Sequence, residues 1–483
     1  MPKKIDQPKA SAKAPVKAPE SKDVKKDLKK EKDTEGGAPR SGKNFQSVKG
    51  MKDILPHDQP YWEYVRNLIE VIGSDYGFNR IDIPVLEESA LFSRGVGKQT
   101  DVVEKEMYTF MDKGGEMVAM RPEFTSGVVR AYIEHGMANW PQPVKLYAIG
   151  PVFRYDKPQA DRFRQLHQVS FEMFGEKNPA VDAQIILMGA KLFRKCGIAS
   201  VLHINSIGCT SCRGVYKEVL TEYYKNKRAQ LCEDCKRRLV KNPLRLLDCK
   251  EQGCQPIKQD APHLVDYLCE ECKDHFTKVL EFLDELELPY HLDPFLVRGL
   301  DYYNRTVFEF LSPTEGDDKS VALGGGGRYD YLVEELGGRP TPACGFAVGM
   351  ERIVSRMKEL PDDHEIQLKL PRRTVTIFFA QLGEQAKRRA MNLYEDLLNE
   401  GFPIAENFAK DSLKSQLESA NKMSVKFTLI LGQKELLDGT IIIRNMEGGE
   451  QEVVDVKKII PILHKKIDTL IDTMETKGKG GDE

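Results

Sequence analysis

Residues 296–310 read Leu-Val-Arg-Gly-Leu-Asp-Tyr-Tyr-Asn-Arg-Thr-Val-Phe-Glu-Phe, and residues 322–330 read Ala-Leu-Gly-Gly-Gly-Gly-Arg-Tyr-Asp. Residues 306–310 have the apolar run of a buried strand, and Arg298, Tyr302 and Tyr303 come just before it. A cation and two phenol rings at the mouth of a strand suit a polar, planar ligand. The glycines let the backbone approach a ligand where any Cβ would clash. Each stretch alone also fits a solvated arginine or an ordinary glycine loop, but together they predict a ligand site.

Length and composition indicate a globular chain of two to four domains. The chain has 483 residues, of which 40% are hydrophobic and 30% charged, and its net charge is −2. Any contact with nucleic acid must therefore use local basic patches. Since no apolar run reaches about 18 residues, we expect no transmembrane helix and no membrane partner. Ten cysteines without an apolar signal core favour a reducing cytoplasm over a disulfide framework.

Both ends of the chain are predicted to be tails. Residues 1–43 contain twelve Lys and one Arg against seven acidic residues and almost nothing apolar. We therefore expect residues 1–44 to form a disordered basic tail, which fits weak RNA affinity and equally fits a solubilising role. Residues 469–483 are expected to be a flexible C-terminal tail.

Three segments predict the elements of a large sheet domain. Residues 58–76 have helical spacing and precede an alternating strand at 80–86, where Pro84 favours a sheet edge. Strands at 145–149 and 168–174 flank a charged loop at 154–165, which predicts a long antiparallel hairpin. Residues 345–354 read as a strand that runs into a helix. These segments resemble motifs 1, 2 and 3 of the class II aminoacyl-tRNA synthetases, and the stretches 296–310 and 322–330 resemble two motifs specific to the histidyl-tRNA synthetase family.

This resemblance implies an α+β fold. It implies an antiparallel-sheet catalytic core over residues 45–368, interrupted at 205–288 by an inserted helical domain that is rich in cysteine. Residues 372–468 alternate strand and helix, at 375–379, 384–400, 412–423, 427–431 and 440–444, which predicts a compact α/β domain. By position it resembles the anticodon-binding domain of the family.

The resemblance also implies an activity. Members of the family convert L-histidine and ATP, with Mg²⁺ on the phosphates, to histidyl-adenylate and pyrophosphate. They then pass the histidyl group to the 3′ adenosine of tRNA-His, and they act as homodimers whose interface is formed by motif 1.

Amino-acid activation builds negative charge on a phosphoryl group that is already crowded with anions, so the protein must supply positioned cations. Arginine suits this role because its planar fork binds phosphate and carboxylate oxygens in pairs. The resemblance assigns catalytic roles to Arg154 and Arg298 at the α-phosphate and to Arg352 near the γ-phosphate. Each of them, taken alone, also fits a surface arginine.

The resemblance assigns the histidine pocket as well. Gln168 and Glu172 lie four apart on a predicted strand, so both side chains lie on one face. A carboxylate on one imidazole nitrogen and a hydroxyl on the other would reject analogues that lack those nitrogens. Glu172 alone also fits a solvated strand residue, and the tyrosines fit core packing. The predicted histidine-binding residues are Glu123 and Thr125 for the amino group, Gln168 for the amino–carboxylate end, Glu172, Tyr303 and Tyr329 for the ring, and Arg298 and Tyr302.

The motif 2 loop carries further cations. Arg121, Lys157, Arg162 and Arg164 are expected to place positive charge around it, and a basic loop suits phosphate contact. By resemblance Asp156 and Arg162 contact ATP, while Lys157 and Arg164 contact the tRNA acceptor stem. Many relatives have Glu where this chain has Asp156.

Eight cysteines lie in the insertion as four close pairs: Cys209 and Cys212, Cys232 and Cys235, Cys249 and Cys254, and Cys269 and Cys272. This spacing predicts two tetrahedral Cys₄ zinc sites, with buried reduced thiols as the alternative. Zinc there would be structural. Loosening the insertion is therefore expected to weaken aminoacylation of tRNA more than activation of histidine.

Two other functions fit parts of the sequence. The regulatory subunit of ATP phosphoribosyltransferase shares the synthetase core, but it lacks a C-terminal domain like residues 372–468. A zinc-dependent RNA-binding protein would use the insertion alone, and the intact ATP motifs argue against it.

Overall fold

The computed structural model describes residues 44–156, 163–313, 321–360, 370 and 375–478, with the backbone alone for 469–478. Its α-helices are α1 (Gln59–Asp75), α2 (Ser89–Gly95), α3 (Thr125–Glu134), α4 (Pro179–Lys195), α5 (Thr210–Lys225), α6 (Glu233–Lys241), α7 (Gln255–Gln259), α8 (Glu270–Glu285), α9 (Leu332–Glu335), α10 (Met350–Glu359), α11 (Glu384–Asn399), α12 (Leu413–Lys422), α13 (Gln433–Asp438) and α14 (Ile459–Gly478). Its strands are β1 (Asn79–Arg80), β2 (Leu86–Glu88), β3 (Thr109–Met111), β4 (Met117–Met120), β5 (Val144–Phe153), β6 (Gln165–Phe174), β7 (Val201–Ser206), β8 (Tyr290–Leu292), β9 (Asn304–Ser312), β10 (Val321–Arg328), β11 (Ala343–Gly349), β12 (Ile377–Gln381), β13 (Ile404–Glu406), β14 (Phe427–Leu431), β15 (Thr440–Asn445) and β16 (Gln451–Asp455).

An eight-stranded sheet forms the centre of the first 360 residues, in the order β1-β5-β6-β11-β10-β9-β7-β8. All pairings are antiparallel except those of β1 with β5 and β7 with β8. The predicted hairpin is confirmed as β5 and β6, whose pairing runs from Val144 opposite Phe174 to Phe153 opposite Gln165. The predicted strand-to-helix segment is confirmed as β11 and α10. The α+β fold class expected from the sequence is therefore correct.

The strand predicted at 80–86 is wrong over most of its length. Only Asn79–Arg80 and Leu86–Glu88 are strands, and they belong to different sheets, since β2 pairs with β4 in a small sheet of order β2-β4-β3. Between them, Arg121 Nη1 donates to the carbonyl oxygens of Ile83 (2.6 Å) and Pro84 (3.2 Å). Pro84 has no N–H to donate to a ladder, so a buried side chain replaces strand pairing where the chain crosses from one sheet to the other.

The insertion is helical, as predicted, but it is not an independent body. Its buried residues, among them Tyr216, Leu239 and Leu246, belong to the same apolar cluster as Tyr302 and Tyr303 of the core. Its last helix, α8, places His275 Nε2 3.5 Å from Asp182 of core helix α4. The insertion and the sheet therefore share one core.

The C-terminal α/β domain is confirmed as a five-stranded sheet of order β13-β12-β14-β15-β16, with β12 parallel to both β13 and β14. Strands β13 and β16 and helices α13 and α14 were not predicted from the sequence. Helix α14 continues to Gly478, so helical backbone extends into the stretch expected to be a flexible tail. The flexibility of residues 469–483 and the domain boundaries remain predictions. Within the described residues, no helix is long and apolar enough to cross a membrane.

The glycine stretch of the sequence forms strand β10, which lies between β9 and β11. A Cβ on Gly326 would collide with the carbonyl oxygen of Gly345 and lie 2.6 Å from Phe346 Cα, both on β11. Glycine therefore permits the two backbones to approach this closely.

We predict that Gly326→Ala lowers the free energy of unfolding by roughly 2–3 kcal/mol or more, because neither backbone can yield without breaking the ladder. Gly349→Ala, on neighbouring β11 with no atom within 4 Å of its added Cβ, is the matched control. Denaturant unfolding monitored by circular dichroism measures both variants. Equal stability of the two would contradict the close approach.

Candidate functional site

A cavity of about 650 Å³ opens over the middle strands of the large sheet and is closed on its other side by the insertion. Of the residues predicted from the sequence, those that line it are Glu123, Thr125, Arg154, Asp156, Gln168, Arg298, Tyr302, Tyr303 and Arg352, together with the predicted metal ligands Cys232 and Cys249. Lys157 and Arg162 lie outside the described residues. Glu172 and Tyr329 do not line the cavity, and Arg164 lies away from it with its guanidinium 3.7 Å from the centre of the Tyr155 ring.

The guanidinium of Arg298 is held in place by the neighbouring strands. Its Nη1 donates to Glu309 Oε1 on β9 at 2.9 Å, and a Cβ on Gly325 of β10 would lie 2.7 Å from the same nitrogen. Burial alone lowers the pKa of Arg298, but Glu309 and Tyr303 raise it, and it lies above the usual value for arginine. Its buried Nε has no hydrogen-bond partner among the described residues. The site therefore holds a permanent cation with a donor that is available for a ligand.

Gln168, on strand β6, supplies the complementary group. Its Oε1 is buried and accepts no hydrogen bond from any described residue. A buried polar atom without a partner costs about 1–3 kcal/mol, so both this oxygen and Arg298 Nε gain when a ligand satisfies them. An acceptor and a cationic donor in one cavity match the ammonium and carboxylate of an amino acid.

Glu123 lies at the start of helix α3. Its carboxylate accepts from the backbone N–H groups of Thr125 (2.6 Å) and Ser126 (2.8 Å), where unpaired helix N–H groups favour an anion. These bonds fix the carboxylate at the cavity wall, where remaining lone pairs are available to an ammonium group.

Glu172 is the centre of a buried hydroxyl cluster behind the cavity wall. Its carboxylate accepts from Thr125 Oγ1 at 2.7 Å, from Ser170 Oγ and from Tyr329 Oη. Burial raises the pKa of Glu172 to about 7, although the three hydroxyl donors act in the opposite direction. The structure therefore brings the predicted ring-binding residues Glu172 and Tyr329 together, beneath the wall rather than on it.

Three tyrosine rings connect this cluster to the cavity. The centroid of Tyr302 lies 4.6 Å from that of Tyr303 and 5.6 Å from that of Tyr329, within the range of edge and tilted aromatic packing. Tyr302 and Tyr303 reach the cavity surface. The two rings therefore give the cavity an aromatic surface, with Tyr329 packed behind it, and such a surface suits a flat ring.

The remaining predicted cations occupy different environments. Arg154 Nε donates to the Pro122 carbonyl at 2.8 Å, and Arg352 Nη1 donates to the Ala322 carbonyl, so both are oriented at the cavity wall. Arg121 was expected to add charge around the motif 2 loop, and this is wrong. It is buried, and its guanidinium binds the carbonyls of Pro151, Ile83 and Pro84, so it stabilises the fold.

Several cavity residues were not predicted from the sequence. Glu309 interrupts the apolar run of β9, a signal that could have identified it. Glu351 accepts from the backbone N–H of His167 at 2.8 Å, and it directly precedes Arg352. Arg238 and Arg245 reach the cavity from the insertion, and no local sequence pattern points to a contact over that separation.

The insertion cysteines gather into two clusters. Cys209, Cys212, Cys269 and Cys272 form one, and Cys232, Cys235, Cys249 and Cys254 form the other, with all sulfur atoms of a cluster within 4.8 Å of one another. Zn–S bonds of about 2.3 Å in a tetrahedron place sulfur atoms about 3.8 Å apart. The Sγ distances of 3.5 Å between Cys209 and Cys212 and 3.9 Å between Cys232 and Cys249 match this. The donor sets therefore fit two tetrahedral metal ions.

Comparison with known proteins gives one family. A family model described as histidyl-tRNA synthetase matches residues 50–353, and one described as anticodon binding domain matches residues 375–466. The histidine–tRNA ligase of Dehalococcoides mccartyi strain ATCC BAA-2266 is 45% identical over 424 residues, which are 88% of this chain and 100% of that protein.

Comparison with solved structures gives the same family. The apo histidyl-tRNA synthetase of S. aureus matches with a TM-score of 0.72 and 34% identity over 87% of this chain and 99% of that one. A Bacillus halodurans protein titled as an ATP phosphoribosyltransferase regulatory subunit/histidyl-tRNA synthetase matches with a TM-score of 0.57 at 18% identity, over 81% of this chain and 99% of that one. At that identity the second match shows the fold alone.

The buried Glu172 predicts a pH dependence of stability. In the folded protein the Glu172 carboxyl group keeps its proton up to about pH 7. In the unfolded chain the same group releases its proton near the ordinary pKa of 4.5. This bound proton stabilises the fold fully below about pH 4.5, and the stabilisation is lost as the pH rises through about 7. The upper bound on the loss is about 3 kcal/mol.

Relative to Glu172→Gln, which cannot titrate, the wild-type protein should lose thermal stability between about pH 5 and about pH 8. Differential scanning calorimetry of both proteins without ligand measures this difference. Melting temperatures that change in parallel over the range would contradict a raised pKa for Glu172.

Proposed function

The chain belongs to the histidyl-tRNA synthetase family, and we propose that the cavity between its large sheet and its insertion is where it activates histidine. The chain is an aminoacyl-tRNA ligase, which joins histidine to tRNA at the expense of ATP with Mg²⁺. Two buried polar atoms in this cavity, Arg298 Nε and Gln168 Oε1, carry the proposal, since neither has a hydrogen-bond partner within the part of the chain that the structure describes. The C-terminal domain, which matches the anticodon-binding family model, argues against a regulatory subunit that lacks it.

In the first step an oxygen of the histidine carboxylate attacks the α-phosphorus of ATP. The bond from that phosphorus to the bridging oxygen breaks, and pyrophosphate leaves. Arg298 and Arg154 face the charge that develops at the α-phosphate, and Arg352 neutralises the γ-phosphate. Because protein contacts already orient all three side chains, little reorganisation is needed as the charge develops.

Histidine is recognised at both of its ends. Glu123, Thr125 and Gln168 bind the amino group, with Arg298 at the carboxylate. Tyr302 packs against the imidazole, and the Tyr303 hydroxyl bonds one ring nitrogen. The other nitrogen is directed at the cluster of Glu172 and Tyr329 behind the cavity wall. Glu172 holds a proton up to about pH 7, so that cluster can either donate to or accept from the ring nitrogen.

In the second step a hydroxyl of the terminal adenosine of tRNA-His attacks the carbonyl carbon of the adenylate, and AMP leaves. Lys157 and Arg164 of the motif 2 loop bind acceptor-stem phosphates, while Asp156 and Arg162 contact ATP. Phosphate contacts of this kind position the tRNA without reading its sequence.

We propose a homodimer whose interface includes the small sheet. Leu86, Phe110, Met111 and Met117 are exposed there, on β2, β3 and β4. Leu86 and Phe110 lie on one face of this sheet and Met111 and Met117 on the other. Exposed apolar groups on so small a sheet favour a protein partner, and a second copy fits the motif 1 resemblance. Light scattering after gel filtration tests this, and a single-chain mass would contradict it. We also propose a cytoplasmic location, because none of the ten cysteines is in a disulfide, and cell fractionation would test this.

Arg298→His should reduce histidine-dependent pyrophosphate exchange about a hundred- to a thousandfold, or roughly 3–4 kcal/mol in activation free energy, because a fixed cation is lost at the developing phosphoryl charge. Arg194→His, an exposed arginine at the end of α4, is the matched control. An Arg298 variant with near-control exchange and intact structure would refute the assignment.

The two cysteine clusters predict two zinc ions per chain, with structural roles, since four thiolates leave no open position for a substrate. Substitution of Ser for both Cys232 and Cys235 should remove one ion and make the insertion sensitive to protease, while Cys196→Ser should keep both ions. Elemental analysis and limited proteolysis measure this. Zinc-free protein with a protease-resistant insertion, purified without chelator, would show that the thiols only pack.

A further inference from the structure

We propose that Arg245, in the insertion, is a positioning residue for histidine activation: it holds the backbone of the segment that presents Arg298 and Tyr303 to the cavity. The inference rests on the proposed role of Arg298. It assigns to the insertion a part in the first chemical step, in addition to any part in tRNA binding.

The segment in question, residues 298–303, needs support from outside itself. It follows β8 and precedes β9 without helix or strand of its own. A backbone hydrogen bond from Asp301 N to Val96 O, at 3.0 Å, ties it to the core. A loop that carries site residues is only as well placed as the contacts that fix its backbone.

Three side chains of the insertion provide such contacts. Arg245 Nη1 donates to the Arg298 carbonyl at 3.3 Å, and Arg213 Nη1 donates to the Tyr303 carbonyl at 3.0 Å. Between them, Asn242 Nδ2 donates to Asp301 Oδ1 at 3.0 Å. The insertion therefore forms hydrogen bonds with the segment at its start, in its middle and at its end.

Arg245 also links this segment to a third element. Its Nη2 lies 3.7 Å from Asp101 Oδ2, next to the π-helix Val102–Glu106, and its Nη1 lies 3.2 Å from Asp248 Oδ2. Arg238 Nη1 donates to the Arg245 carbonyl at 3.3 Å. The planar guanidinium, with its donors fixed in a fork, serves a carbonyl and two carboxylates at once. Since its side chain is mostly buried, these contacts are little screened by solvent.

The cysteine cluster fixes the part of the insertion that carries Arg245. Cys232 is the N-cap of α6, and Cys249 directly follows the 3₁₀ helix Pro243–Asp248. The four sulfur atoms thus close both ends of the segment 233–248. A loosened insertion was expected to weaken activation of histidine less than aminoacylation of tRNA. Loss of the cysteine cluster would also free the backbone of Arg298, so activation should fall as well.

The test compares Arg245→Met and Arg245→Lys in the full chain by histidine-dependent pyrophosphate exchange. A displacement of about 1 Å at a reacting group costs about a hundredfold. Arg245→Met should therefore lower kcat about ten- to a hundredfold with little change in KM for ATP. Arg245→Lys should keep more of the wild-type kcat than Arg245→Met does. Arg237→Met, an exposed α6 arginine paired with Asp234 at 2.9 Å, is the matched control and should keep wild-type kcat.

A double-mutant cycle with Arg298→Lys separates positioning from general stability. If Arg245 acts through Arg298, Arg245→Met should cost much less in the Arg298→Lys background than in the wild type. Wild-type kcat in Arg245→Met, or a loss that is fully additive with Arg298→Lys, would overturn the proposal. If Arg298→Lys itself keeps full activity, the proposed role of Arg298 fails instead. Should Arg245→Met fold poorly, Arg245→Lys in the same cycle gives the same distinction.

Discussion

The site depends on the close approach of backbones around β10. Side chains alternate across a strand, and its glycines leave room on both sides. Gly324 and Gly326 face Val348 and Phe346 of β11, while Gly325 and Gly327 face Arg298 and Tyr303. A methyl group on the first side would push β10 away from β11. One on the second would meet the β9 carbonyl oxygens of Phe308 and Thr306 and would also displace the ligand-binding groups. The glycine stretch thus serves both the sheet and the cavity.

Local patterns in the sequence were enough to predict the single elements that carry the site residues, whereas the residue roles came from the family resemblance. The hairpin of β5 and β6, the strand-to-helix turn into α10 and the glycine strand each have a period or a composition of their own, and all three are in the structure. Cysteine spacing predicted two clusters of four thiols. It did not predict their membership, because the pairing depends on how the insertion folds back on itself. The contact between Arg245 and Arg298 was missed for the same reason, because it joins segments that are distant in sequence.

Arg121 shows a second limit of reasoning from sequence. Arg121 lies near a basic loop in the predicted fold and was interpreted as surface charge, but its side chain is buried. Its guanidinium replaces the missing ladder bonds around Pro84. Arg328, for which no role was predicted, is also fully buried, and it pairs with Asp182 and, at 3.0 Å, with Asp330. Paired in this way, a buried cation joins the sheet to α4, whereas loss of either partner would leave an uncompensated charge.

The arrangement of the cysteine clusters has a consequence for the order in which the insertion folds. One cluster, from Cys232 to Cys254, is enclosed within the other, from Cys209 to Cys272. Closing a short loop costs less chain entropy than closing a long one, and a closed inner loop shortens the outer one. As the chain leaves the ribosome, the inner thiols are complete before Cys269 and Cys272 have been synthesised. The nested order therefore matches the direction of synthesis, and the inner cluster can form without competition from the last pair.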